Sequence, residues 1–486
     1  MSLIPSAYRI DWTNAGREGG IPYYPAGENV RDHGARGDGV HDDTTAIKNA
    51  IAAAADGTAI IFPPGKYKIT SKLILPSNVC LRGCGSDNTL LSFDLGGAKA
   101  PCFDVVKYDE GSMVSVSGSP QKDDTGFTVS SASSFSVGDV VEIQEENDAD
   151  LMYTKSEWES GWNNNWASSS LIGAVGQLAV ITAINGNTLS IDRPLHIDFH
   201  SARNPKARRL GMVEDVGFED FKIERTDTNA TDYGSSNIRF KYARNCWALR
   251  IESYNCVNNH FEYSRAMNIT VRSCYVHHAD RYEGGCGYGF NMYAHTTDCL
   301  VEDCIANHLR HAFLVQVGTN GCVFAYNYSR DPYGDVGGSY WFSTDLELHG
   351  FYPFMNLYEG NHIQYVSNAG YWGPSGPGNT FLRNFIESKD IDVKDYSHYQ
   401  NFLSNDLAHD YQDFNVEASV ENLLRYSNRR PSGFLTGESS GTPEDGYFYS
   451  STPDYFGALP WPPFGFPVTF GANTIPAKIR YETMGG

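Results

Sequence analysis

The feature that most restricts the fold is a loose repeat that sets in from about Val213. Ile251-Glu252-Ser253-Tyr254, Val271-Arg272-Ser273-Cys274, Val301-Glu302-Asp303-Cys304, Phe324-Ala325-Tyr326-Asn327, Tyr358-Glu359-Gly360-Asn361 and Leu382-Arg383-Asn384-Phe385 follow one another in the chain. They recur about every 20 to 35 residues, a period typical of stacked repeat units. A unit this short cannot bury its apolar face alone, so the copies must stack into a solenoid. In such a stack Cys274, Cys304, Asn327 and Asn361 fall in register and predict an internal ladder of small and amide side chains.

The strands that precede these segments also align. Gly289 to Tyr293, Ala312 to Gln316 and Asp345 to His349 alternate apolar and polar residues, which places every second side chain on the same face. The alignment sends Phe290, Phe313 and Leu346, then Met292, Val315 and Leu348, inward as two columns. It sends outward Gly289, Ala312 and Asp345; then Asn291, Leu314 and Glu347; then Tyr293, Gln316 and His349. With adjacent coils about 4.8 Å apart, the small residues beside Asp345 predict a recess there.

At the other end, Asn29 to Ile47 runs through Asp38, Asp42 and Asp43 into Thr45 to Ala55, where Ala46, Ile47, Ala50, Ile51 and Ala54 form one apolar stripe. Asp43 or Thr44 can cap this helix, which closes the open end of a sheet stack. Phe62-Pro63-Pro64-Gly65-Lys66-Tyr67 and Leu81-Arg82-Gly83-Cys84-Gly85 follow as short strands and turns. These three stretches resemble the N-terminal cap and first coils of the pectate-lyase-like superfamily, which contains polygalacturonases, polysaccharide lyases and some phage tailspikes. The resemblance implies an all-β fold: a single-stranded right-handed parallel β-helix with a capping α-helix, and a long groove for a polysaccharide. The polygalacturonase signatures Asn-Thr-Asp, Asp-Asp, Gly-His-Gly and Arg-Ile-Lys do not occur as a set. The Arg-centred motif of the pectate lyases is not evident either.

Three parts are expected: an extended arm over 1–28, the β-helix over 29–430, and an extended tail over 431–486 that packs on the helix and covers its C-terminal edge. Short strands from Val137 to His200, the last two joined at Asn185-Gly186, predict a small antiparallel β insertion at about 137–200. Within it Trp158, Trp162 and Trp166 stand at every fourth position, either as a packed helix face or as a platform for sugar rings.

A net charge of -21, with no basic run, argues against a nucleic-acid partner. No apolar run of about 18 residues is present to span a membrane. Ten Cys in 486 residues are too few for a dense disulfide framework, and no CxxC pair suggests zinc. No cofactor is expected; where a metal binds, Ca²⁺ held by loop carboxylates is expected ahead of zinc. Met1-Ser2-Leu3-Ile4 lacks the basic start and apolar core of a leader. A secreted, monomeric, extracellular or periplasmic protein is nonetheless expected from the chemistry below, with the cytoplasm as the alternative.

That chemistry is polysaccharide cleavage. Asp345 and Glu347, next-but-one neighbours on a strand, stand about 6.6 Å apart, a separation at which two carboxyl groups can share acid and base work across a glycosidic bond. His349 and His311 would tune their protonation, Asp331 is the reserve carboxylate, and Arg310, Tyr293, Asn291 and Gln316 would hold substrate. Tyr371 and Trp372 would wall the groove, with Trp162 as a further sugar-stacking candidate. A glycoside hydrolase is the leading reading. A lyase acting by β-elimination on a uronate polymer, through His311, Tyr293 and Arg310, is the second. A glycan-binding or tailspike-like protein without catalysis is the third.

Overall fold

A computed structural model describes residues 3–147, 173–227, 234–368 and 373–484. Three long parallel sheets run the length of the chain, and successive strands visit each in turn, as in a right-handed parallel β-helix. Sheet A extends from Ala26–Asn29 to Leu424–Tyr426, sheet B from Asp38–Asp42 to Gly433–Phe434, and sheet C from Leu73–Ile74 to Phe414–Val416.

From Asp220 onward each coil turns from sheet A to sheet B through one residue in the left-handed region: Asp220, Arg250, Ser273, Asp303, Tyr326, Gly360, Arg383, Ser404 and Ser427. Most of these carry a side chain there, at a cost of about 1–2 kcal/mol each. The residue that follows points inward and offsets that cost. Asn327 N–H donates to Asn361 Oδ1 at 3.0 Å, Asn361 to Asn384 at 3.0 Å, Asn384 to Asn405 at 3.0 Å and Asn405 to Asn428 at 3.0 Å. Cys304 N–H joins the ladder through Asn327 Oδ1, and Glu438 accepts from Asn428 at its far end. The expected ladder is therefore present and longer than the sequence suggested. Two of its segments sit in a different register: Ile251, not Tyr254, stacks on Cys274, and Asn384, not Phe385, on Asn361. Asn361→Ala is expected to leave neighbouring buried amides unpaired and to lower unfolding stability by about 1–3 kcal/mol, measurable by urea denaturation.

Inside, the aromatic columns stack. Phe261, Phe290 and Phe313 lie ring over ring at 5.2 and 5.7 Å, and Tyr358, Phe381 and Phe402 at 4.7 and 4.6 Å. Each fully buried ring contributes about 1.5–3 kcal/mol. Helix α1 (Thr44–Ala53) covers the N-terminal end with Ala46, Ile47, Ala50 and Ile51. Asp43 does not cap it with its side chain; its carboxylate instead accepts from Arg36 and Gly37 N–H and fixes the preceding loop.

One expectation about layout changes. The insertion is a closed antiparallel barrel whose outer strands, Val114–Ser117 and Lys206–Leu210, lie well outside 137–200. Lys206-Ala207-Arg208-Arg209-Leu210 lacks clean alternation because Arg208 is itself buried in an ion pair. In the tail, Phe456, Phe464 and helix α2 (Pro476–Thr483) pack along the corner between sheets A and B, in one cluster with Trp12 of the arm. The first tail residues lie at the C-terminal end of the coils: Gly433–Phe434 pairs antiparallel with Arg429–Arg430 of sheet B, and Ser439 lies beside Tyr426 of sheet A. All ten Cys are free, and no described helix is long and apolar enough to cross a membrane.

Candidate functional site on sheet C

Sheet C carries the outward columns that the sequence singled out. Phe290, Phe313 and Leu346 share one register, as do Asn291, Leu314 and Glu347. The same outward column continues past Glu347 through Ser367 to Asp392 and Asn415. At about 4.8 Å per coil, the Glu347 and Asp392 backbones stand about 10 Å apart with only Ser367 between them.

Asp345 is not part of that face. It lies one residue before the strand Leu346–Leu348, and its carboxylate turns along the helix axis toward the next coil. Oδ2 accepts from Gln364 N–H at 2.7 Å and Oδ1 from Tyr365 N–H at 2.7 Å and Leu346 N–H at 3.1 Å. Asp345 is 1% exposed, and burial pushes its carboxyl up to about 6 against the pull of those amides. The expected recess beside it does not exist, because Gly289 has the backbone of Ala312 directly against the place where a Cβ would stand. Asp345 is a latch between coils. Asp345→Asn sets an amide NH₂ against backbone donors and is expected to cost about 1–3 kcal/mol of stability, read from thermal unfolding.

Asp331 is also elsewhere. It follows a sheet B strand and pairs with His308 at 2.6 Å on an exposed surface. Tyr371, Trp372 and Trp162 lie outside the described residues.

Glu347, His349 and His311 do come together. Glu347 Oε1 lies 3.3 Å from His349 Nδ1, and the His349 and His311 rings are 5.7 Å apart. His311 Nδ1 lies 2.6 Å from the Thr344 carbonyl, and burial, then Arg310 and His349, push its pKa well below the ordinary value. It is thus a fixed neutral ring and not a tunable one. Arg310 donates to the Glu283 carbonyl and to Tyr288 Oη, and its guanidinium lies between the Tyr288 and Trp341 rings, 5.7 and 5.4 Å away. Asn291 and Gln316 are committed to one another: Gln316 Nε2 donates to Asn291 Oδ1, whose amide donates to Asn259. Tyr293 Oη donates to Glu262 at 2.6 Å. These three are thus tied into the hydrogen bonding of sheet C.

Two groups escaped the sequence reading. Asp392 Oδ2 accepts from Tyr365 Oη at 2.7 Å and Lys394 Nζ at 2.6 Å, and Oδ1 accepts from Asn415 at 2.8 Å. Its signal is plain in retrospect: Ile391 and Val393 alternate with Asp390, Asp392 and Lys394 as Leu346 and Leu348 do with Glu347 and His349. The hairpin formed by Gly334–Val336 and Ser339–Trp341 carries the other. Trp341 lies flat over Gly334, which has no side chain to displace it, and presents a half-exposed ring beside Arg310. Among the described residues, no group of three or more His, Cys, Asp or Glu could hold a metal ion.

Residues 28–313 match the model of one family, described as rhamnogalacturonase A/epimerase, pectate lyase-like. The chain belongs to that family. The family's β-helix is the fold described above, and the carbohydrate-active character of the family is the coarse functional frame for the chain. Among curated relatives, mannuronan C5-epimerase AlgE6 of Azotobacter vinelandii is 41% identical over 80 residues, which cover 15% of this chain and 9% of that protein. Alginate lyase 7 of the same organism is 42% identical over 72 residues, 13% of this chain and 8% of that protein. The chain therefore spans less than a tenth of the length of these curated relatives. Among solved structures, the gp54 tailspike of Acinetobacter baumannii bacteriophage AP22, in complex with capsular saccharide, aligns with a TM-score of 0.51 at 10% identity, covering 85% of this chain and 76% of that one. At that identity the likeness concerns the fold.

Proposed function

We propose that the protein cleaves a polysaccharide laid along the outer face of sheet C, and that Glu347 and Asp392 are its paired carboxyl groups. The observation that carries this reading is their shared outward column, two coils apart with the small Ser367 between. Inverting glycosidases hold their carboxyl groups about 6.5–9.5 Å apart to leave room for a water. A backbone separation of about 10 Å suits that geometry better than the closer retaining arrangement. Glu347, beside His349, would protonate the leaving oxygen. Asp392, gripped by Tyr365, Lys394 and Asn415, would orient and deprotonate the water.

A second reading is proton abstraction from a uronate, the chemistry named for the epimerase and lyase relatives. The observation in its favour is the neutral His311 beside Arg310. A panel containing alginate, polygalacturonate and neutral galactans, followed in parallel for new reducing ends and for near-ultraviolet absorbance of unsaturated ends, tests both. Reducing ends without that absorbance are expected. Unsaturated product would overturn the hydrolytic assignment, and no product or binding on any member would leave a protein that does not act on these glycans.

A further inference from the structure

We infer that the cleft where the arm, the barrel and the tail meet is a second glycan site, separate from Glu347 and Asp392, that takes an uncharged, hydroxyl-rich sugar unit; that the visitor is a sugar rests on the polysaccharide reading above. The cavity measures about 400 Å³, inside the range of about 300–1,000 Å³ that small-ligand sites occupy, and such sites favour the seams between structural units. Ser6, Arg9, Asp11 and Trp12 line it from the arm, Lys122 and Asp123 from the barrel loop before Gly126–Val129, and Tyr447 from the tail. None of these belongs to a coil. Trp12 fixes the place on the solenoid, because its Nε1 donates to the Met355 carbonyl at 2.7 Å, in the turn that follows the Glu347 strand. Tyr447 N–H donates to Glu359, at the end of the next sheet A strand, and the Trp12 and Tyr447 rings stand 5.7 Å apart. The cleft thus sits on the coil that carries Glu347, beyond the turn that leaves sheet C.

The lining holds unused hydrogen-bonding capacity of both kinds. The Arg9 guanidinium and the Ser6 hydroxyl meet no partner among the described residues. Asp11 commits Oδ1 to Thr13, whose N–H and hydroxyl both donate to it, and leaves Oδ2 open. The Lys122 side chain is 11% exposed, yet its three N–H donors find one acceptor, Asp123 Oδ1 at 2.7 Å, and Asp123 Oδ2 is open as well. Two cations and two carboxylates balance, so a lone anion would face Asp11 and Asp123, and a lone cation Arg9 and Lys122. A hydroxyl meets neither penalty, since it gives its hydrogen to a carboxylate and accepts from a cation, and the vicinal hydroxyls of a pyranose do both side by side. The part-exposed Tyr447 ring supplies the apolar flank for the carbon face of that sugar.

The test uses hexasaccharides of β-1,4-galactan, β-1,4-mannan and β-1,4-glucan as uncharged probes and hexagalacturonate as the charged control, titrated by calorimetry into the full chain carrying Glu347→Gln so that the probes stay intact. At least one uncharged probe is expected to bind with a Kd that moves less than about twofold when salt rises from about 0.05 to about 0.5 M, because screening acts on charge. Arg9→Gln removes the open guanidinium, and Asp123→Asn tolerates the left-handed φ of 73° while setting an amide NH₂ where Oδ2 accepts. Each is expected to raise that Kd about tenfold, the equivalent of one lost hydrogen bond. Ser6→Trp, which fills the cleft from an exposed position, is expected to abolish this binding, with the melting temperature unchanged in all three. In the active chain the same variants are expected to raise KM for polymer severalfold and to leave kcat as it is. Wild-type Kd in all three variants, or no binding of any uncharged probe, overturns the inference. So does binding of hexagalacturonate alone, weakened by salt and lost in Arg9→Gln, which would make the cleft an anion site. If polymer is cleaved normally in those cases, the cleft assignment alone falls; if no polymer is bound or cleaved, the polysaccharide reading falls with it.

Discussion

Glu347→Gln is expected to lower turnover on the responsive polysaccharide by a factor of about 10² to 10⁴ while leaving the fold intact, the range for removal of a positioned proton donor. The fold should tolerate the change: Glu347 meets His349 at 3.3 Å and, among the described residues, anchors no backbone group, and Gln has almost the same shape. Asp392→Asn is expected to produce a loss of similar size, because an amide cannot take a proton from water although it still accepts from Tyr365. The pattern across both variants matters more than either alone. If Glu347→Gln is silent and Asp392→Asn is not, the proton donor lies elsewhere on the column. If both retain wild-type rates with unchanged melting temperatures, the paired-carboxyl assignment is wrong.

Removing the carboxylate at the junction of barrel and solenoid should have the largest effect on stability. Glu142, fully buried on the barrel, accepts from Arg208 at 2.7 Å and from Arg265 at 2.8 Å, and lies 2.8 Å from His295 Nδ1. The other nitrogen of His295 faces the Gly173 carbonyl at 2.6 Å, so the ring is held on both sides. Burial alone would raise the Glu142 carboxyl, but Arg265, His295 and Arg208 together hold it well below the usual range. Glu142→Ala strands these buried cations and is expected to cost about 3–5 kcal/mol, seen as a lower midpoint in denaturant and as a barrel that melts ahead of the coils. The sign with pH follows from the depressed native pKa. The contribution is complete above the ordinary glutamate value and is lost progressively as the pH falls below it. A variant within about 0.5 kcal/mol of wild type would show that the barrel is held by packing alone.

The sequence disclosed the architecture because stacked coils repeat a physical demand. Each turn needs one left-handed residue followed by an inward small or amide side chain, and each strand needs two inward apolar positions, so Asn327, Asn361, Phe313 and Leu346 announce their places. The site was less legible where local pattern and three-dimensional direction part company. Alternation holds only within the strand, and Asp345 stands just before it, where the chain is still turning and the side chain points along the axis to Gln364 and Tyr365. Asp331 was drawn in by its nearness in sequence, although the coil carries it to another face. Asp392 carried the same alternating signature as Glu347 and was recoverable in principle. Trp341 was not, since its position depends on how a hairpin folds back over Gly334.

A column of identical hydrogen-bonded coils has no inherent length and offers each end as a template for the next molecule. Here the terminal link is a carboxylate, Glu438, which accepts from Asn428 and is itself gripped by Arg425, so the series closes on a group that cannot pass the same bond onward. With α1 seated over the opposite end, each extremity carries an element that does not repeat the coil, which blunts its use as a template for another molecule.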